Sequence, residues 1–67
     1  MTRNIILTRR STGWTATFKV GFVPDPEVVA LFGTSELPTP FTPLAGEDAV
    51  RRAVESRNPG VPVYVAR

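Results

Sequence analysis

The fold predicted for this chain depends on residues 46–57, which read Gly46-Glu47-Asp48-Ala49-Val50-Arg51-Arg52-Ala53-Val54-Glu55-Ser56-Arg57. Their apolar side chains recur at i, i+1, i+4 and i+5 and form one stripe at helical period. Acidic residues lie in the first turn and Arg57 in the last, as the helix dipole favours. Asn58-Pro59-Gly60 then ends the helix, because a residue before proline leaves the helical region. We therefore predict a main helix over about 46–57.

Two positions are possible for the start of this helix. Gly46 directly precedes the acidic first turn, whereas Thr42-Pro43 offers an alternative N-cap and first residue. The second choice places Gly46 inside the first turn at a cost of about 1 kcal/mol. The acid-first spacing from Glu47 to Arg51 and from Asp48 to Arg52 also predicts i,i+4 ion pairs.

Three stretches show the alternation of a strand. Residues 3–10 place Ile5 and Leu7 on one face, and residues 14–20 place their apolar members on one face at Trp14, Ala16, Phe18 and Val20. A turn at residues 10–13 joins these two strands into a hairpin, and residues 3–10 can form an edge of the sheet. Residues 61–66 alternate as a third strand, in which Pro62 favours an edge position.

Residues 25–32 predict a short helix. Asp25 is a good N-cap, Pro26 suits the first helical position, and Gly33 can end the helix. The apolar run at 28–32 is also compatible with a buried strand, although the start and stop residues favour a helix. Together these elements predict an α+β fold, in which a small antiparallel sheet of about three strands is covered by one main helix.

Residues 34–44 are rich in proline and are predicted to be extended. Pro40-Phe41-Thr42-Pro43 matches PxxP, which can dock in aromatic grooves, but no Arg or Lys adjoins it. We favour an ordered crossover that Leu37, Phe41 and Leu44 hold against the core.

Length and composition predict one small domain over residues 1–67. The chain has no cysteine, so it forms no disulfides. It also has no histidine, the commonest general base and the commonest metal ligand. A small core without such cross-links favours a homodimer or a protein partner. Because no apolar run is long enough to cross a bilayer and no signal-peptide core is present, we expect a cytoplasmic protein without a membrane role.

Charge is distributed in blocks along the chain. Residues 1–24 carry four cations and no acid, residues 25–50 carry five acids and no cation, and residues 51–67 are basic again. The cations of the first block are Arg3, Arg9, Arg10 and Lys19. Together with an exposed Trp14 or Tyr64, these side chains could bind nucleic acid. The competing interpretation places Trp14 in the core, where it cannot stack on bases.

No pattern of residues predicts catalysis, a cofactor or a metal site. Glu47 and Asp48 suit a helix first turn, and Asp25 suits an N-cap. The sequence has no nucleophile elbow, phosphate-binding glycine loop or metal motif. We therefore expect a protein that is not an enzyme.

Two groups of residues resemble a known family. The first is Gly13-Trp14-Thr15-Ala16-Thr17-Phe18, and the second combines Leu37-Pro38, Phe41-Thr42 and Glu47-Asp48-Ala49. They are similar to motifs in the partial RNase-H-like domain of HicB-type antitoxins. In that family the Leu-Pro follows the second strand almost at once, whereas here residues 19–36 lie between the two. Thr39-Pro40 stands where the family has Gly-Cys. The resemblance implies a β-β-β-α-β fold that binds a protein, often as an oligomer, without catalysis.

These observations favour a small non-catalytic protein–protein interaction or regulatory module that self-associates through a sheet edge. The alternative is a small nucleic-acid-binding protein that uses the basic hairpin.

Overall fold

The computed structural model describes residues 2–67 as one mixed sheet with two helices. In chain order the elements are β1 (Arg3–Arg10), β2 (Gly13–Val20), β3 (Val23–Pro24), α1 (Pro26–Phe32), β4 (Glu36–Pro38), α2 (Glu47–Arg57) and β5 (Val63–Val65). The predicted α+β class is confirmed, with five strands rather than about three.

The predicted hairpin forms the centre of the sheet. β1 and β2 pair antiparallel along their full lengths, from Arg3 opposite Val20 to Arg10 opposite Gly13. Ile5 and Leu7 are buried on the face that α2 covers, as the alternation predicts. Ile6 faces the other way and is half-buried.

The last strand lies beside β1 and runs parallel to it, with Val63 opposite Ile5 and Val65 opposite Leu7. This parallel pairing differs from the antiparallel sheet that we predicted, and it makes β1 a central strand rather than an edge. The reason is the path of α2, which crosses the sheet from the Gly13 end of β2 back to the Arg3 end of β1. A strand that follows such a crossover must run parallel to β1.

The other neighbour of β2 is a strand that is interrupted in the middle. β3 pairs with Lys19 and Val20, and β4 pairs with Thr15, Ala16 and Thr17. Between them, the Asp25 N–H donates to the Phe18 carbonyl at 2.9 Å and the Phe18 N–H donates to the Ser35 carbonyl at 2.9 Å. The chain therefore leaves the side of β2 at Phe18, forms a loop over residues 25–34 that contains α1, and returns to β2 at Phe18.

Both helices begin and end with the residues that the sequence indicated. The Asp25 carboxylate accepts a hydrogen bond from the Glu27 N–H at 3.0 Å, and Gly33 closes α1 with φ of 79°. Residues 25–33 are therefore helical rather than extended. Gly46 is the N-cap of α2, which settles the choice between Gly46 and Thr42. Glu47 pairs with Arg67 at 3.2 Å rather than with Arg51.

The core lies between α2 and the sheet. Its five buried apolar residues are Ile5, Leu7, Trp14, Ala16 and Val50, and Phe18, Phe41, Val54 and the valines of β5 pack around them. Trp14 is therefore in the core beneath α2, as one of our two interpretations predicted. A core of this size leaves the domain marginally stable.

Candidate functional site

The four cations proposed for nucleic-acid binding lie in two groups at opposite ends of the hairpin. Arg3 and Lys19 are near one end, and Arg9 and Arg10 are near the other. Seven residue steps along a strand separate the two ends, a distance of about 20 Å. The structure therefore brings these four residues into two pairs rather than one continuous basic surface.

The three arginines of this set each have a partner within the chain. Arg3 contacts the carboxylates of Asp25 at 3.6 Å and Glu27 at 2.9 Å. Arg10 forms a two-point ion pair with Glu36, at 2.9 and 3.2 Å. These contacts reduce the positive charge that the arginines present to an external anion.

Arg9 acts together with Trp14. Its guanidinium lies 4.7 Å from the centre of the Trp14 ring, and it donates to the Ala45 carbonyl at 3.1 Å. The Trp14 indole N–H donates to the same carbonyl at 2.9 Å, and Trp14 is only 2% exposed. Trp14 is thus unavailable for stacking on bases, which leaves Tyr64, at 56% exposed, as the aromatic residue of that hypothesis.

Glu36 ties β4 to the hairpin on the face opposite α2. Besides the Arg10 ion pair, its carboxylate accepts a hydrogen bond from the Thr15 hydroxyl at 2.6 Å. The hydrogen bond from Arg10 first, and that from Thr15 second, hold the pKa of Glu36 below its usual value. The ionised form of Glu36 is therefore the form that the folded state favours.

This contact predicts a loss of stability in acid. The contribution of Glu36 is fully present above the unfolded-state pKa of about 4.3, and it is lost as the pH falls through the lower pKa of the folded state. We expect Glu36→Gln to be less stable than the unmodified chain at about pH 7 and closer to it at about pH 3. Urea unfolding of both proteins at the two pH values measures this; a gap that does not narrow in acid would contradict the assignment.

α1 presents an apolar surface that the other described residues, 2–25 and 33–67, leave exposed. No residue of this helix is buried, and Leu31 and Phe32 are 78% and 62% exposed. Val29 is also exposed, and we call these three residues the α1 ridge. Because α1 belongs to an excursion that could be removed without interrupting the partner strand of β2, its apolar side chains are not needed to build the core.

The free edge of β5 is a second exposed feature. β5 pairs with β1 on one side, and within residues 2–67 no strand lies on its other side. It has no charged residue and no proline within Val63–Val65, which are the features that usually protect an edge strand. Tyr64 is exposed on the sheet face opposite α2, where it borders a groove with Ile6, Phe22 and Pro62.

An apolar groove separates α2 from the proline-rich segment. Phe18, Leu37, Phe41 and Val54 line it, with Arg57 at its border. Phe41 thus packs against the core as predicted, Leu37 lines the groove, and Leu44 is 95% exposed and does not hold the crossover. β4, which includes Leu37-Pro38, is hydrogen-bonded to β2 as part of the sheet.

No group of three or more potential metal-ligating carboxylate, imidazole or thiol side chains occurs within residues 2–67. In the same part of the chain, neither helix is long and apolar enough to span a bilayer. The expectations that the chain is not an enzyme and binds no cofactor rest on the sequence.

Comparisons with protein-family models, with curated proteins and with solved structures find no match to this chain. The fold and its surfaces define a small α+β domain with one helix-covered sheet face. The resemblance to HicB-type antitoxins remains a prediction from the motifs.

Sequence reasoning missed the exposure of the α1 ridge and of Phe22, which is 98% exposed. Of the two edges that it expected, the one at residues 61–66 is confirmed at β5, whereas the one at residues 3–10 is wrong because β1 lies between β2 and β5. A signal for the exposure of the α1 ridge was present, because residues 28–32 are all apolar and a helix with one buried face would carry polar residues on the other.

Proposed function

We propose that this chain is a small non-catalytic protein–protein interaction or regulatory module that self-associates through a sheet edge. One observation carries the proposal: residues 2–67 bury five apolar residues but expose seven large ones. The exposed residues are Phe22, Val23, Val29, Leu31, Phe32, Leu44 and Tyr64. Exposed apolar residues that cluster mark an interaction site, and three of the seven lie together on the short helix α1.

The β5 edge supports the self-association. An unpaired strand offers a row of hydrogen-bonding groups to a second strand, and a small core gains stability from the addition. The structure offers this edge at β5, since both sides of β1 and both sides of β2 are already paired.

The α1 ridge supports the binding of a further protein. The helix connects β3 to β4, which pair with β2, whereas the added copy would pair with β5. We expect the protein to form a homodimer or to bind a protein partner, and to be located in the cytoplasm. Neither surface requires a cofactor.

Sedimentation equilibrium tests the self-association. We expect the apparent mass to rise from 7.3 kDa toward twice that value as the concentration increases through the micromolar range. Tyr64→Lys should shift the midpoint to at least about tenfold higher concentration, because it places like charges at the shared edge. Thr12→Lys is the matched control, since it adds the same charge at an exposed turn far from β5.

A mass of 7.3 kDa at every concentration would contradict the self-association. Equal midpoints for the Tyr64 and Thr12 variants would instead place the contact at a surface other than β5.

The nucleic-acid alternative has less support. Its four cations form two separate pairs, and its arginines have partners within the chain. No observation favours it over the interaction module.

A further inference from the structure

The outer edge of β5 presents its hydrogen-bonding groups in a fixed pattern. Toward β1, the Pro62 carbonyl accepts from the Ile5 N–H at 2.9 Å and the Ala66 N–H donates to the Leu7 carbonyl at 2.8 Å. In a parallel pair the residues that bond to the neighbour alternate along the strand. Tyr64 therefore also bonds toward β1, while Val63 and Val65 direct their N–H and C=O groups away from the sheet.

This pattern is its own complement under a two-fold rotation. Val63 and Val65, whose backbone groups point outward, lie on either side of Tyr64, whose backbone groups point toward β1. When two copies of β5 run antiparallel about Tyr64, Val63 of each copy therefore lies opposite Val65 of the other. In an antiparallel pair, residues that exchange both hydrogen bonds alternate with residues that exchange none. Val63 and Val65 occupy the first kind of position, and the two Tyr64 residues occupy the second.

We propose that a second copy of this chain adds to β5 in this register, with the two-fold axis passing between the two Tyr64 residues. This inference rests on the proposed function and specifies its geometry. The pairing joins two five-stranded sheets into one continuous sheet with both α2 helices on the same face. It is closed, because the same edge is used by both copies and no free β5 edge remains.

The chemistry of the edge favours a second copy as the occupant. Val63–Val65 carries no charge, so two copies meet without repulsion at the new ladder. Residues at a position without hydrogen bonds approach most closely, with Cα atoms about 4.5 Å apart, and aromatic pairs at such positions are stabilising. Tyr64, which is 56% exposed, gains a partner there that it lacks in the single chain.

The groove beside Tyr64 extends the contact. Ile6, Phe22 and Pro62 line this groove on the same face of the sheet. A two-fold axis at Tyr64 brings the two grooves into one strip that runs across the dimer.

A single cysteine tests the register, because the chain contains none of its own. In Tyr64→Cys the two thiols face each other across the axis at a Cα separation that suits a disulfide, which requires about 4.4–6.8 Å. We expect mild oxidation to convert most of this variant to a covalent dimer. Tyr64 is exposed, so circular dichroism should show the unmodified fold.

Thr17→Cys is the matched control. Thr17 of β2 is opposite Ile6 of β1, and Ile6 is opposite Tyr64 of β5. Position 17 is therefore on the same sheet face as position 64 but two strands away from β5. That displacement is about 10 Å from β5, beyond the reach of a disulfide across the axis. We expect Tyr64→Cys to cross-link at least about tenfold faster than Thr17→Cys.

The outcomes separate the register from the proposed function. If the unmodified chain is a dimer by sedimentation but the two variants cross-link equally slowly, the register is wrong and self-association stands. If the unmodified chain is a monomer and neither variant cross-links above the rate of random collision, both the register and the proposed self-association are wrong.

Discussion

Replacing Trp14 with alanine is expected to unfold most of the protein at room temperature. Trp14 is 2% exposed and packs with Leu7 and Val50 in the centre of the core. Removing a buried tryptophan costs about 3–5 kcal/mol. A domain of this size without disulfides has a total stability of only about 3–5 kcal/mol, so the loss is comparable to the whole.

The same substitution removes two contacts that hold the loop before α2. The indole N–H no longer donates to the Ala45 carbonyl, and the Arg9 guanidinium loses the ring over which it lies. Circular dichroism during heating measures the result, which we expect to be a missing or much lower transition. Leu44→Ala is the control, because it truncates an apolar residue that is 95% exposed and lies outside both proposed contact surfaces, so it should leave stability within about 0.5 kcal/mol. Similar melting of the two variants would contradict the placement of Trp14 in the core.

Replacing Gly13 with alanine is expected to have the second-largest effect. Gly13 begins β2 with φ of 142°, a conformation that side chains rarely adopt. A Cβ at this position would lie 2.9 Å from the Phe41 carbonyl oxygen. That oxygen accepts the Trp14 N–H at 3.0 Å, so it cannot move away without breaking a hydrogen bond.

Two separate costs therefore add at Gly13. The backbone strain costs about 1–3 kcal/mol, and the displacement of Phe41 adds to it. Gly60→Ala is the matched control, since Gly60 has φ of 80° but no atom within 4 Å of the added Cβ. Denaturant titration should show a clearly larger loss for Gly13→Ala than for Gly60→Ala; equal losses would mean that Phe41 does not crowd this position.

Much of the fold follows from local patterns in the sequence. The alternation from Trp14 to Val20 identified the strand and its buried face, because a half-buried strand needs side chains of period two. Asp25, Pro26 and Gly33 identified α1, because each satisfies the backbone of a helix end.

The arrangement of the strands could not be predicted in the same way. Whether β5 joins β1 or β2 depends on where α2 ends, which is a property of the whole chain. The interrupted partner strand of β2 depends on two hydrogen bonds of Phe18, whose carbonyl accepts from the Asp25 N–H and whose N–H donates to the Ser35 carbonyl 17 positions away. No local pattern encodes such pairing.

The candidate site was only partly predictable for a related reason. Pro62 correctly indicated an edge at residues 61–66, but the expected second edge at β1 is wrong because β5 pairs with β1. The short run at 28–32 is apolar on every side, which indicated that part of it would lie outside the core, but only the packing of the surrounding elements shows that Leu31 and Phe32 are exposed.

Amide hydrogen exchange, measured residue by residue at several protein concentrations, tests the central claim most directly. Within residues 2–67, Val63 and Val65 have no partner strand on their outer side, so their amides should exchange quickly when the protein is dilute. We expect their exchange to slow as the concentration rises and a second β5 binds, while Leu7, paired within the sheet, changes much less. Fast exchange at Val63 and Val65 at every concentration would contradict self-association through this edge.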